Sequence, residues 1–267
     1  MTINISCLRA FMQWTAGIFL SLHFISACAG QNNQITASTL NYPPYEYKEN
    51  GQAKGIAVDV IREVMRRVGK YEVSFTFYPW KRAVYTVQHG LSDVLFNAGK
   101  NQARQEWGYY VDSVLIQQSY VLFKRRSDNF SVEPNFNNVK DKSIAVRRAY
   151  LYGSGAFREA LDSQRFMNIL YSDSTKQSVD LLLHNRVDMF VGDFLPVLYY
   201  INKQDLNDQI DIVSHDGEWM EVLSWPTYLL FSKQRTTPEF VTKVKDAMDS
   251  MKQDGSFQKI TDSYKQH

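Results

Sequence analysis

In the stretch Gly90 to Trp107, GLSDVLFNAGKNQARQEW, a short apolar run meets a polar loop and one arginine. Asp93-Val94-Leu95-Phe96 reads as a buried strand, Asn97-Ala98-Gly99 as the loop leaving it, and Arg104 as a charge placed just beyond. In open α/β sheets, ligands collect at the carboxyl ends of strands, where backbone N–H groups and helix starts face a crevice. An arginine fixed there presents a planar fork that matches a carboxylate with two parallel hydrogen bonds. A helix cap or a surface ion pair is the competing reading of a single arginine.

Aromatic residues add to the first reading. Phe, Trp and Tyr make up 14% of the chain, with 16 Tyr, and most are expected in the core or at its rim. Three stand elsewhere: Tyr42 and Tyr45 flank Pro43-Pro44, and Trp80 follows Pro79. Each comes just after an expected strand, so all three could stand near Arg104 and clamp an apolar or cationic part of a small ligand.

Other chemistries find less support. His23, His89, His184, His215 and His267 are scattered, with no H-E-x-x-H and no cysteine pair, so no metal or other cofactor is expected. There is no G-x-S-x-G elbow, and Gly153-Ser154-Gly155 lacks the lysine and spacing of a phosphate loop. Acid–base catalysis stays open, because 28 acidic residues always offer pairs.

The elements that must position these residues alternate from Ile35 onward. Ile35 to Leu40 reads as a strand, and Asn41 to Tyr45 as an extended turn, because proline removes a donor and biases its predecessor out of the helical region. After Gly55, the apolar positions Val58, Ile61, Val64, Met65 and Val68 have helical spacing, with Gly69 as the stop. Val73 to Tyr78 is expected as a strand, and a helix opened by Pro79-Trp80 runs to Gly90. Tyr120 to Phe123 is β-rich, and Ser127 to Lys142 is rich in turns. A second run follows: strands at 143–146, 169–171 and 188–191, helices at 155–163, 174–184 and 194–203. Strands at 211–213 and 228–231 and helices at 238–251 and 257–264 close the chain. Two such runs with an interruption predict an α/β fold of two doubly wound lobes.

With 267 residues, 44% of them hydrophobic and 22% charged, the chain can bury one or two full cores. The first thirty residues differ from the rest. Arg9 precedes the mostly apolar run Ala10 to Ile25 and then Ser26-Ala27-Cys28-Ala29-Gly30, which reads as a secretory signal over residues 1–29 rather than a membrane span. Two processing readings stand. Ala27-Cys28-Ala29 fits ordinary signal peptidase, while Ile25-Ser26-Ala27-Cys28 resembles a bacterial lipobox that would make Cys28 the lipidated first residue. The only other cysteine, Cys7, is also in the leader, so the mature domain has no disulfide and relies on its packed core. Arg9 is the only charge in the leader, and its removal leaves 29 basic against 28 acidic residues. That balance exerts no long-range pull on phosphate backbones, so nucleic acid is not an expected partner.

The set Tyr42-Pro43-Pro44-Tyr45, Gly55 with Val58-Asp59-Val60, Pro79-Trp80-Lys81-Arg82-Ala83, Gly90 with Asp93, Arg104, and Asn185-Arg186-Val187-Asp188 resembles the bacterial extracellular solute-binding proteins, family 3. These are periplasmic proteins that bind polar amino acids for ABC importers. The resemblance runs from the end of the leader to Asp254-Gly255. It implies a type II periplasmic-binding-protein clamp, with lobe 1 at 35–124 and 218–267 and lobe 2 at 125–217. Strands crossing near Phe123 to Arg126 and Val213 to Gly217 would form the hinge. By the same resemblance, Arg104 would hold a ligand α-carboxylate and Asp193 an α-amino group. Tyr42 and Trp80 would be the aromatic clamp, Asn97 and Ala98 a loop whose polar backbone faces the ligand, and Arg147 a basic position at the start of the first loop of lobe 2. Opposite charges on opposite lobes would bind a zwitterion only on closure.

The chain departs from the family pattern in two places. Thr39-Leu40-Asn41 stands where many amino-acid binders have an acid, and Arg147-Arg148-Ala149-Tyr150-Leu151-Tyr152-Gly153 replaces the usual glycine-threonine loop. Arg147 and Arg148 could favour a second ligand carboxylate or be surface charge. The resemblance implies a monomeric periplasmic binder of an amino acid or small carboxylate that works with an ABC permease and touches membrane only through a lipid on Cys28. The alternatives are an enzyme of the same fold, resembling cyclohexadienyl dehydratase, and a ligand sensor that reports to a receptor.

Overall fold

The computed structural model describes residues 33–148 and 152–264. Cys28 and both expected processing sites lie outside the described residues, as do Ala149, Tyr150 and Leu151.

Strand β1 (Gln34–Thr39) leads through a turn into a small hairpin, β2 (Tyr47–Glu49) and β3 (Gln52–Lys54), and then α1 (Ile56–Gly69). Of the apolar stripe expected on α1, Val58, Ile61, Val64 and Met65 are buried and Val68 partly so, and Lys70, one residue past the expected stop, takes the left-handed C-cap conformation. The first run continues with β4 (Glu72–Phe77), α2 (Trp80–Gln88), β5 (Val94–Gly99), the short helix α3 (Gln102–Trp107) and β6 (Gly108–Tyr110). A long strand, β7 (Ile116–Arg125), leaves it. The second run is β8 (Ser143–Arg147), α4 (Ala156–Asp162), β9 (Asn168–Ser172), α5 (Thr175–Leu183), β10 (Met189–Asp193), α6 (Phe194–Lys203) and β11 (Ile210–Ile212). The hairpin β12 (Ser214–His215) and β13 (Glu218–Trp219) precedes a second long strand, β14 (Glu221–Ser232), and α7 (Pro238–Gln253) and α8 (Ser256–Ser263) follow.

The strands make two α/β lobes with mixed sheets. Parallel β4, β1 and β5 form lobe 1, parallel β10, β8 and β9 form lobe 2, and β14 and β7 run antiparallel to their neighbours between them in the order β4-β1-β5-β14-β7-β10-β8-β9. Lobe 1 packs α1 and α7 on one face, with Ile61, Phe96, Phe231 and Met248 among the buried side chains, and α2 on the other, with Ala83, Leu95 and Leu230. Lobe 2 likewise carries α4 on one face and α5 and α6 on the other. Both faces of each sheet are thus covered, which explains why the strands read as continuous apolar runs.

The crossing differs from expectation. It is the β14–β7 ladder, from Thr227 opposite Ile116 to Glu221 opposite Val121. Phe123 and Val213, expected at the hinge, are fully buried in the lobe 2 cores, and Tyr120, Leu122 and Met220 pack there too. Lobe 2 therefore starts before residue 125 and extends past residue 217. Only Leu229, Leu230 and Phe231 at the lobe 1 end of β14 form a fully buried apolar run, so hydrophobicity marked that end of the strand and not the polar stretch that crosses.

The end of β5 is irregular where the site begins. Val94 and Phe96 enter the α1 core while Leu95 and Ala98 enter the α2 core, so the alternation slips by one residue. Asn97, at φ 56°, makes that slip, and the β14 ladder shifts register between Tyr228 and Leu230. Asparagine tolerates the left-handed conformation better than most side chains.

Candidate functional site

The turn after β1 is pinned from both ends. Tyr42 N–H donates to the Glu46 carbonyl at 2.6 Å, and the first N–H groups of α1, on Ile56 and Ala57, donate to the carbonyls of Pro44 (3.1 Å) and Tyr45 (2.8 Å). The turn thus caps the helix that has no side-chain cap of its own. Gly55, at φ 122°, is required there, because a Cβ would stand 2.7 Å from the Pro44 oxygen.

Two tyrosines of this turn reach across to lobe 2. Tyr45 Oη donates to Asp193 Oδ1 at 2.8 Å, and Tyr42 Oη donates to Asp193 Oδ2 at 3.2 Å. Asp193 stands between β10 and α6, and its side chain, which makes no cap bond to α6, turns to the tyrosines instead. Burial pushes its carboxyl up to about 7, against the two tyrosine hydrogen bonds, which pull it down. Beside these bonds, the rings of Tyr47 and Tyr199 meet at 5.6 Å and Leu195 packs against the lobe 1 core, so α6 is docked on the turn.

Glu46, the next residue, is wholly buried. Its Oε1 accepts from Asn97 Nδ2 at 2.7 Å, Asn97 Oδ1 accepts from the Thr227 hydroxyl at 2.6 Å, and that hydroxyl also lies 3.1 Å from the Ile116 carbonyl. The chain of contacts joins the turn after β1 to both crossing strands. Burial raises the Glu46 carboxyl well above the usual range, the Asn97 bond opposes this, and the nearby Asp193 charge adds to the rise. Among the described residues Glu46 Oε2 has no hydrogen-bond partner.

Arg104 stands at the far side of the β5 end. Asn101 caps α3 by accepting from the Arg104 N–H at 2.9 Å, while the guanidinium donates to the Gly99 carbonyl at 2.8 Å and lies 5.2 Å from the Trp80 ring centre. Among the described residues it has no carboxylate partner, so the surface ion-pair reading does not hold. A half-buried cation fixed by one carbonyl and one ring keeps its remaining N–H groups for an anion.

The structure thus pairs Trp80 with Arg104 and Tyr42 with Asp193. Arg147 joins the second group: with Tyr42, Tyr120, Gly192 and Asp193 it lines a cavity of about 20 Å³, room for a water but not for an amino acid. Arg148 does not join. It pairs with Asp173 at 2.9 Å and lies over Tyr171, as exposed surface charge. Asn97 turns its side chain away to Glu46, and Ala98 is buried against α2 and paired with Tyr228, so neither side chain faces the cleft. A larger groove of about 820 Å³, between Tyr47, Asp59, Arg62 and Tyr264, holds none of the expected site residues.

Sequence reasoning missed Glu46, Thr227 and the cross-lobe role of Tyr45. An acid directly after Tyr-Pro-Pro-Tyr, a stretch already assigned to a strand end, was the available signal for Glu46. The hydroxyl that separates Tyr45 from a phenylalanine was the signal for a polar partner.

A model of the bacterial extracellular solute-binding proteins, family 3, matches residues 35–267. The chain is 25% identical over 222 residues to the L-cystine-binding protein TcyA of Bacillus subtilis (strain 168), covering 82% of this chain and 76% of that protein. It is 22% identical over 266 residues to the probable amino-acid-binding protein YxeM of the same organism, covering 94% of each. Among solved structures, the second substrate binding domain of a putative amino acid ABC transporter from Streptococcus pneumoniae Canada MDR_19A superposes with a TM-score of 0.67 at 21% identity. The match covers 86% of this chain and 99% of that one, a likeness of fold.

Proposed function

The chain belongs to the bacterial extracellular solute-binding proteins, family 3, and on that premise we propose that it captures an amino acid or related small carboxylate between its lobes for delivery to an ABC importer. The observation that carries this reading is Arg104, a cation oriented by the Gly99 carbonyl and Trp80 and without a carboxylate partner among the described residues. Asp193 on the other lobe supplies the opposite charge. A zwitterion that engages both gains most when the lobes meet, so ligand shifts the population toward closure. Its entry displaces the Tyr42 and Tyr45 hydroxyls from Asp193 or parts the lobes, because the remaining cavity is water-sized. The names of TcyA, YxeM and the streptococcal domain favour amino acids as the class.

Thermal unfolding against amino acids and small carboxylates tests the reading. Ligand at a hundred times its dissociation constant stabilises the fold by roughly 2.7 kcal/mol, a shift of several degrees for a chain of this size. The shift is expected in the wild type and lost in Arg104→Ala. No shift with any compound, from folded protein freed of carried-over ligand, overturns capture. Export to the periplasm and the fate of Cys28 belong to the same proposal, and mass spectrometry of the mature N-terminus decides between cleavage and lipidation. Uptake in cells lacking the protein, restored by wild type and not by Arg104→Ala, tests delivery.

A further inference from the structure

We propose that Trp225 is the floor of the cleft and sets the ligand class: an amino acid or related carboxylate with a planar aromatic side chain. The proposal rests on the capture function given above and adds the side chain to it.

Trp225 lies on β14 where that strand crosses β7. The ladder sets Trp225 opposite Gln118 and Leu223 opposite Tyr120, and residues directly opposite each other share a face of the sheet. Tyr120 on that face lines the cavity with Tyr42, Arg147 and Asp193. At the lobe 1 end, the indole of Trp225 lies over Gly99, whose absent side chain leaves the room: a Cβ there would stand 3.0 Å from Trp225 Cε2. At the lobe 2 end, Leu223 Cδ1 stands 3.2 Å from where a Gly153 Cβ would be. The face therefore runs from one ligand-side loop to the other.

Trp225 is exposed to 41%. Its exposed aromatic counterparts elsewhere are partnered: Tyr85 stacks on His89, Tyr171 lies under Arg148, and Trp219 meets Phe194. Among the described residues Trp225 has neither a ring nor a cation against it, and its N–H has no acceptor. Gly99 ties it to the anchor, since the same residue's carbonyl orients Arg104, which lies over Trp80. Arg104 thus has Trp80 under its guanidinium and, through the Gly99 carbonyl it donates to, Trp225 close by. The rest of that face, Gln118, Tyr120, Leu223 and Thr227, is uncharged and mostly buried, so Trp225 is the part of it that a ligand side chain meets, and a ring gains stacking or edge contacts there.

The test compares the dissociation constants of L-tryptophan, L-phenylalanine, L-alanine, L-glutamine and L-lysine, by calorimetry, for wild type, Trp225→Ala and Trp225→Phe. Wild type is expected to favour an aromatic amino acid over L-alanine by about tenfold or more, with Trp225→Phe retaining and Trp225→Ala losing that preference. Equal or tighter binding of L-glutamine or L-lysine, or an unchanged ratio in Trp225→Ala, overturns the inference and leaves the capture function standing. Binding of none of the five, nor of any compound in the thermal screen, overturns both.

Discussion

Tyr45 Oη of lobe 1 donates a 2.8 Å hydrogen bond to Asp193 Oδ1 of lobe 2, and both side chains are buried. The carboxylate that the proposed function assigns to a ligand's amino end is thus held by a neutral donor from the opposite lobe. On the proposed function, closure and ligand capture would compete for the same oxygen.

Tyr45→Phe keeps the ring in the lobe 1 core and leaves a buried acceptor short of a donor. Stability is expected to fall by about 1–2 kcal/mol in denaturant unfolding, with the small-angle scattering radius of the unliganded protein increasing. Tyr42→Phe, which removes the longer 3.2 Å bond, is expected to have the smaller effect. Equal stability and radius in wild type and Tyr45→Phe would show that the bond does not hold the lobes.

The pH dependence has a definite sign. Burial places Asp193 near 7 in the folded protein, so between its ordinary range near 4 and about 7 the folded state holds a proton that the unfolded chain has lost. The Asp193 contribution to stability therefore falls as pH rises through that window and levels off above it. Affinity for an ammonium runs the other way and strengthens from pH 6 to 8, by no more than about tenfold per unit, because it needs the carboxylate. Unfolding and calorimetry at pH 5, 6, 7 and 8 are expected to show both trends in wild type, whereas Asp193→Asn loses the affinity trend and keeps only the shallower stability slope that Glu46 contributes. Glu46, raised by the same burial, stays common to both proteins in this comparison.

Much of the fold was legible because its signals are local. The α1 stripe is a period of 3.6 in apolar residues, the expected helix at 194–203 coincides with α6, and Arg104 and Trp80 meet as their positions at strand ends imply. The crossing was misplaced because β14 exposes Glu221, Ser224 and Trp225 between the lobes, where one strand serves two cores and has no single buried period. Glu46, Asn97 and Thr227 were illegible as a network because their contacts span 51 and 130 positions, and no spacing rule reaches so far.

Asn97 separates two energies. Asn97→Gly keeps the left-handed backbone and loses the side-chain bonds, leaving both Glu46 oxygens buried without a donor, at a cost of about 1–3 kcal/mol. Asn97→Ala adds the steric penalty of φ 56°, a further 1–2 kcal/mol or so. The alanine variant is expected to unfold at lower denaturant than the glycine variant. Both variants lose the side-chain network alike, so the reverse order would mean that the left-handed backbone at residue 97 imposes no penalty on a Cβ.

Asp93 and Asp188, two residues on which the family resemblance was drawn, lie away from the candidate site, at the amino ends of β5 and β10. Asp93 Oδ2 accepts from the Thr36 N–H at 2.7 Å and its hydroxyl at 2.6 Å, while the Asp93 N–H donates back to that hydroxyl. Asp188 and Ser143 repeat the arrangement in lobe 2 at 2.7 and 2.6 Å. Each clasp fixes the register of adjacent parallel strands, which no tight turn could do. Burial alone would raise the Asp93 carboxyl, but the Arg235 and Thr36 hydrogen bonds outweigh it and hold the group below its usual value. Such a group contributes stability above its unfolded value, near 4, that is lost as pH falls through the lower folded one. Asp93→Asn is therefore expected to destabilise the protein at pH 7 by about 1–3 kcal/mol and to flatten the acid limb of its stability profile below pH 4. Ligand preference should be unchanged, because Asp93 supports β5 from the end opposite Arg104. An altered ligand ratio in Asp93→Asn, with stability intact, would move this residue from the scaffold to the site.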